Sequence, residues 1–559
     1  MPSAIGSAIN WLYATVTAGV KAVGFTGTAQ QIVTGLVIGG TASALLGKPR
    51  QTSFSTLAQQ GQNVLGNSVS NTNPIPVIYG ERLIGGTRTF VSTSDKYNHL
   101  TNELEKTNGY LHMVLTVCEG EIEEFTKVYA NNIEIYPNPD VKFRNKVKVN
   151  VHLGADDQIA DDDLVSSFFQ SATVDLDNNF RGRGVAYVYV RLEHNTDVWQ
   201  SGIPTITAKI KGKKVEDIRQ TVSGGANINR YSTNPALCIR DYLTNTTYGR
   251  GISSSNIDAT SFTAAANYCD TSTSYTMDDA STVTQKRYQM NGMVSIGETS
   301  MNILEDMLTS CRGMIVFSGG KYKLILDKDE TPALTFSEDD MLPDFEVTLG
   351  GKDSFSNRVN AQFFNPEKDS QLDFVYVESD SYKTADNNLL LERNIELPFT
   401  NNYVTAKDIG EQTLKQSRQN IIIRFSTFQQ GLLAECGDVI YIKNTNLGWD
   451  TLNSNNGKKF RVMDMQILSN GEINIIAVEF DSAVYTPSTI PLEDTAPNTN
   501  LPDITNSEAV SLSSINITDD LYFDGAKIVP QVTISWGAPN NDVDHYNIWY
   551  NQPPNFQTV

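Results

Sequence analysis

Positive charge is what this sequence is shortest of: 43 Lys and Arg stand against 64 Asp and Glu, a formal net charge of −21. Wrapping a nucleic acid rests on neutralising phosphates with Lys and Arg, so the imbalance argues against that role. The acid excess has two uses open to it, a wall that repels a passing polyanion and a solvated surface that favours solubility. Cysteine is scarce and unpaired in pattern. Cys118, Cys238, Cys269, Cys311 and Cys436 are odd in number and widely spaced, with no CxxC pair and no His at ligand spacing. They read as reduced, mostly buried thiols of a chain that folds in a reducing cytoplasm. His99, His112, His152, His194 and His545 have no partner at motif spacing and read as ordinary surface or core residues. No Ser-His-Asp set, HExxH or dinucleotide fingerprint is present, and no nucleophile has an adjacent base. No catalytic, cofactor-binding or metal residue is therefore assigned, no cofactor is expected, and the chain reads as a non-enzyme.

Several stretches imitate sites and fail on their chemistry. GTASALLGKP at 40–49 has Ala42 where a phosphate-binding loop needs its first Gly and Pro49 in place of the Mg²⁺-binding hydroxyl. Glu119, Glu121, Glu123 and Glu124 are dense enough to suggest acid–base or metal chemistry. They line a turn and both faces of the following strand, however, whereas catalysis needs carboxylates converging on one cleft. Asp175, Asp177 and Asn179 have the spacing that opens a calcium loop, but Phe180 replaces the Gly and Ala186 the bidentate Glu. In the same polar stretch, the Asp161–Asp163 run predicts a capped helix that buries Leu164, Val165 and Phe168.

The chain falls into unequal parts. Residues 1–50 form an apolar Ala, Gly and Thr-rich segment in which Ser3–Gly47 carries one charge, Lys21. It lacks the basic region and cleavage site of a secretory signal, and Gly, Thr, Ser and Gln dilute it below a membrane span. Three readings stay open for residues 3–47: packing against a partner in an assembly, which is favoured, disorder until assembly, and membrane contact on triggering. Residues 70–215 read as a first β domain with a polar insertion at about 140–181. Leu111, Met113, Leu115 and Val117 alternate with His112 and Thr116, and Ile206 and Ile210 with Thr205, Thr207, Lys209 and Lys211.

Residues 216–344 read as a middle α+β domain. Asn234 and Pro235 open one helix, Met301, Ile303, Leu304, Met307, Leu308 and Cys311 form a second at 3.6-residue spacing, and Gly313–Asp327 forms a hairpin turning at Ser318-Gly319-Gly320. Residues 345–485 read as a second β domain with a helix at Thr405–Asn420 capped by Thr405 and Asp408. Its last three strands are Asp438–Lys443, Lys459–Leu468 and Glu472–Phe480, with Asn470-Gly471 closing the final pair and both faces expected to be covered. A Pro-rich linker occupies 486–506, and 507–559 begins a fibronectin type III-like sandwich through Val532, Ile534, Trp536, Tyr546, Ile548 and Tyr550. Such a sandwich needs about 100 residues, so the natural protein is expected to continue beyond Val559.

Three motifs in order carry a family resemblance. Pro76-Val77-Ile78-Tyr79-Gly80 with Gly85-Gly86 and LTVCEGEI at 115–122 is the first. Asn234-Pro235-Ala236 continuing to Asp241-Tyr242-Leu243 and Tyr248-Gly249 is the second. GDV at 437–439, Leu447-Gly448-Trp449, Lys459-Phe460-Arg461-Val462 and Val478-Glu479-Phe480-Asp481 make the third. Together they resemble the central tail hub, or tip attachment (host-specificity), proteins of lambda-like long-tailed phages. That resemblance implies a mainly β fold with α+β parts, two β-barrel-type tube domains flanking the middle domain. It implies a homotrimer in the virion, at the distal end of the tail and assembled in the host cytoplasm, that adapts the hexameric tail tube to a threefold tip, closes the tube and serves attachment and genome ejection. The partners implied are tube and distal tail proteins, the tape-measure protein, other tip proteins and fibres, and a host receptor through distal modules, with DNA only passing through. Two rival classes are a secreted adhesin or carbohydrate-binding protein, predicting an export signal and a stable monomer, and a cell-wall hydrolase, predicting a carboxylate pair in a cleft.

Overall fold

The computed structural model describes residues 38–39, 65–68, 74–98, 101, 103–168, 174–196, 198–199, 202–221, 227–295, 297, 299–350, 354–368, 370–468, 470–491, 515–525, 527–537, 549–552 and 555–558. The phosphate-loop look-alike at 40–49, His99, His545, most of the apolar segment and most of the linker lie outside them. The chain divides into a unit at Met1–Leu492 and a second at Glu493–Val559.

The first unit is mainly β, as expected. One four-stranded antiparallel sheet runs in the order Thr87–Tyr97, Leu104–Glu119, Val185–Glu193 and Val147–His152. Apolar alternation places Met113, Leu115, Val117, Val188 and Val190 on its inner face. A second sheet is built on the long strand Ile206–Thr221, which pairs with Ile122–Ala130, Glu81–Ile84 and Asn227–Tyr231, while Ile133–Tyr136 extends the far side. Ile122, Phe125, Val128, Ile206 and Ile210 of this sheet share one buried core with the first. Gly120, at φ 81°, lies between the strands that end at Glu119 and begin at Ile122, so the chain passes from one sheet to the other there.

Helices Pro235–Thr244, Ala259–Cys269 and Ser300–Thr309 make the middle of the unit. Asn234 caps the first, its Oδ1 accepting from the Ala236 and Leu237 amides, with Pro235 at the opening position as predicted. The predicted hairpin forms from Gly313–Ser318 and Lys321–Leu326, and Ile38–Gly39 adds to it antiparallel. Ile303, Leu304, Met307 and Leu308 are buried, whereas Met301 is exposed, because the buried stripe starts at Ile303, two residues later than the spacing suggested.

A six-stranded sheet follows, in the order Leu334–Phe336, Val439–Ile442, Lys458–Ile467, Ile473–Glu479, Ile421–Thr427 and Glu346–Leu349. Only its first pair is parallel. It curls over Phe336, Phe425, Ile440, Trp449, Phe460 and Ile475. On the other side Met463 and Val478 are buried, but Arg424 and Gln466 are exposed, so that face is covered only in part and not throughout as the sequence suggested. The barrel expectation is corrected on one point: among the described residues no barrel closes. The first β region is two sheets facing one core, and the end strands of the six-stranded sheet, three and four residues long, do not pair.

Between these lies a three-stranded sheet with Arg358–Asn365 at its centre, antiparallel to Gln371–Glu378 and parallel to Glu392–Glu396. Its inner face, with Val359, Ala361, Phe363, Val375 and Val377, packs on helix Tyr403–Gln416. That helix is capped by Asn402, whose side chain accepts from the Thr405 amide, in place of the predicted Thr405 and Asp408. Both of those are buried on the helix, where Asp408 accepts from Gln412.

In the second unit Asn516–Asp524 pairs with Lys527–Ser535 and Trp549–Gln552 with Asn555–Thr558. The described residues there form these two hairpins, and Val532, expected in a sandwich core, is exposed.

Candidate functional site

The residues that the sequence flagged as imitation sites are structural. Glu121 Oε1 meets Lys214 Nζ at 2.7 Å and Glu124 Oε1 meets Lys211 Nζ at 2.5 Å. The acidic cluster therefore fastens the sheet-to-sheet corner to the long strand and does not converge on a cleft. All five cysteines are buried and free. Burial pushes the Cys118 and Cys436 thiols up to about 12, which leaves them protonated and unreactive. Asn179 turns back on Asp177, its backbone amide donating to Asp177 Oδ1 at 2.8 Å, and Phe180 packs against Phe90. No group of His, Cys, Asp and Glu side chains suited to a metal occurs among the described residues.

Three histidines have partners that spacing did not reveal, and His194 Nδ1 lies 2.6 Å from Lys106 Nζ. His152 Nε2 lies 2.7 Å from Asp161 Oδ2 and stacks on Tyr187. Asp161 Oδ1 in turn accepts from the Leu164 amide at 2.8 Å, capping the predicted helix, Asp162–Phe168. Burial works against the Asp161 carboxylate, yet its bonds from His152, the Leu164 amide and Asn150 hold it below the usual range. His112 is fully buried between Ser94 Oγ at 2.8 Å and Tyr189 Oη at 2.9 Å. Burial, aided by Arg191, lowers its pKa to about 4.

The strongest arrangement of charge is a buried joint around Asp327, just past the hairpin. Arg312 Nη2 pairs with Asp327 Oδ2, which also accepts from Gln416 Nε2 at 2.5 Å. Oδ1 accepts from Tyr485 Oη at 2.5 Å and faces Arg461 at 3.6 Å. Arg461 further donates to the Lys328 carbonyl at 2.7 Å. Arg312, Asp327 and Arg461 are each at most 5% exposed. Burial opposes ionisation of Asp327, but Arg312 and Arg461 outweigh it and hold the carboxyl below its usual range. The joint ties the helix end at Arg312, helix Tyr403–Gln416, the strand Lys458–Ile467 and the turn Ser482–Tyr485 to a single carboxylate. Its contribution is register, since a buried ion pair adds little net stability.

A second joint occupies two of the family motifs. Tyr79 Oη and Tyr248 Oη both donate to Asp241 Oδ2, at 2.6 and 2.5 Å. Burial, then the Asp241 charge, raises the pKa of both phenols, so each stays a donor. The short strand Val77–Tyr79 is thereby fixed to the first helix. Gly80, at φ 71°, leaves no room for a Cβ against the Met290 carbonyl and Asn291. The sequence showed these motif residues without their contacts. For the Asp327 joint its only signal was charge placed inside apolar strands, as at Arg461 between Phe460 and Val462.

Both joints hold structure and neither presents a reacting group to solvent. Comparison with known proteins agrees with that character. Residues 299–463 match the family described as Phage-tail_3, "Putative phage tail protein", a span that contains Arg312, Asp327, Gln416 and Arg461. The chain is 25% identical over 346 residues to baseplate hub protein pb3 of Escherichia phage T5, covering 59% of this chain and 35% of that protein. It is 24% identical over 354 residues to tip attachment protein J of Escherichia phage SECphi27, covering 58% and 28%. The chain thus spans about a third of the length of the curated relatives it matches. Among solved structures, a chain from the virion of a native gene transfer agent particle has a similar fold, with a TM-score of 0.56 and 14% identity over 86% of this chain and 98% of that one. On these likenesses the chain is similar to phage tail proteins, among them baseplate hub and tip attachment proteins.

Proposed function

We propose that this chain is the non-catalytic hub of a tail tip: a homotrimer at the distal end of the tube that matches a sixfold tube to a threefold tip. Two lobes per chain, at 70–215 and 345–485, give three chains six docking surfaces for the ring, and 216–344 holds the lobes apart. Closed assemblies need such repeated surfaces. The observation that carries the reading is that one compact unit contains two separately cored β regions locked to a shared helical core by the buried Asp327 and Asp241 joints. A body of that kind transmits position faithfully. In this reading tube subunits, the tape-measure protein and other tip proteins are its partners, DNA passes through without being held, and distal modules lead to the receptor. Residues 3–47 pack within the assembly, with membrane contact on ejection as the competing role.

Sedimentation of the full chain, alone and with tube protein, tests this. Species at three times the chain mass that cap tube ends are expected. A stable monomer that never seats on a ring, or lysis of host envelopes in a turbidity assay, contradicts it.

A further inference from the structure

The outer face of the three-stranded sheet sets aromatic and charged side chains side by side. Cross-strand register sets its residues in rows: Arg358 lies between Glu378 and Glu392, and Asn360 between Tyr376 and Asn394. Phe374 and Tyr376, two apart on the edge strand and hence on one face, are 40% and 54% exposed. Their rings are near-parallel, 29° apart with centroids at 6.5 Å, and form an aromatic rail. Lys407 donates to the Tyr376 carbonyl, which fixes this strand against the helix behind it. Along the opposite side runs the Glu392 carboxylate. Arg358 closes one end, its Nε and Nη2 donating to Glu378 at 3.0 and 2.7 Å and its guanidinium 5.7 Å from the Tyr376 ring. Arg358, Asn360, Phe374, Tyr376 and Glu392 line a groove of about 480 Å³, within the usual range for small-molecule sites, roughly 300–1,000 Å³.

The floor supplies an independent observation. Asn360, 5% exposed, gives its amide hydrogens to Glu392 and Asn394, while its Oδ1 has no hydrogen-bond partner. A buried acceptor left empty is costly unless something donates to it.

We propose that this groove binds an uncharged saccharide. A pyranose ring has an apolar C–H face for the Phe374–Tyr376 rail and a rim of hydroxyls. Those hydroxyls can donate to Glu392 and accept from Arg358. A cationic ligand would compete with Arg358, which already holds the place beside the Tyr376 ring. An anionic one would meet Glu392 and Glu378. The inference does not rest on the assembly reading, because the groove is complete within one chain.

Saturation-transfer NMR on the full chain tests it, with cellotriose and N-acetylated chitotriose as uncharged probes and trilysine as the charged comparator. Transfer to ring C–H protons of at least one trisaccharide is expected. Tyr376→Ala should weaken binding about tenfold, the magnitude of a lost aromatic contact. Glu392→Gln should weaken it several-fold, and both exposed variants should unfold at the parent temperature. No transfer to either sugar, transfer unchanged in both variants, or trilysine as the preferred ligand overturns the proposal. Sedimentation of the same samples reads the assembly separately, so a trimer that binds no sugar defeats this proposal alone.

Discussion

At the scale of single residues, burial decides which charges matter. His112 has a folded pKa of about 4, below an unfolded value of about 6.5. Its neutral form is the one the fold holds, so its contribution is complete above about pH 6.5 and is lost as pH falls toward 4. Denaturant midpoints should therefore drop across that window, and His112→Gln should flatten the drop; an unchanged slope would show that another group is responsible. Asp327 gives a second test. Asp327→Ala leaves Arg312 and Arg461 buried without their carboxylate, and a loss of about 3–5 kcal/mol is expected in urea unfolding. Replacing Arg312, Asp327 and Arg461 together by Met, Leu and Met should recover most of that loss, because the pair fixes register more than it stabilises. Beyond the charge at Arg461 inside an apolar strand, the sequence did not announce this carboxylate, since its partners are contributed by segments up to 158 residues away.

At the scale of elements, local chemistry was the legible part. The Asn234-Pro235 start, the Ser318-Gly319-Gly320 turn and the alternation through Leu111–Val117 are each decided by neighbours within a few residues, and each forms as read. The cap of Tyr403–Gln416 was placed three residues late because Thr405 and Asp408 look like capping residues by composition, whereas the chain uses them on the buried side. Glycine in that helix has a packing reason. A Cβ at Gly410 would lie 2.9 Å from Val377 Cγ2, so the helix rides close on the sheet. Gly410→Leu should cost about 1–3 kcal/mol and broaden the NMR signals of Val359 and Val377; a variant as stable as the parent would mean the helix can lift without penalty.

At the scale of the whole molecule, the sequence foretold a mainly β chain with a helical middle, and the motif order pointed to the right relatives. Closure of the sheets was not legible. Whether strands seal into a barrel depends on edge pairing between distant segments, and Leu334–Phe336 and Glu346–Leu349 are too short to advertise their partners. The groove at Arg358–Glu392 was hidden for the same reason, since Phe374 and Tyr376 read as ordinary strand residues until register sets them beside Asn360 and Arg358. A net charge of −21 makes like chains repel. Self-association of the proposed trimer should therefore tighten as salt rises from about 0.05 to 0.5 M, where screening shortens from roughly 14 Å to 4 Å. Weakening over that range would mean that attractive ion pairs hold the subunits.

The lock at Asp327 also sets an order of events at the ribosome. Its last phenol, Tyr485, is made 158 residues after the acid it serves. Until that tail of sequence has emerged, the nascent chain carries a charge its half-built interior has not finished neutralising, so the two β regions can settle separately but the body between them stiffens only at the close of synthesis.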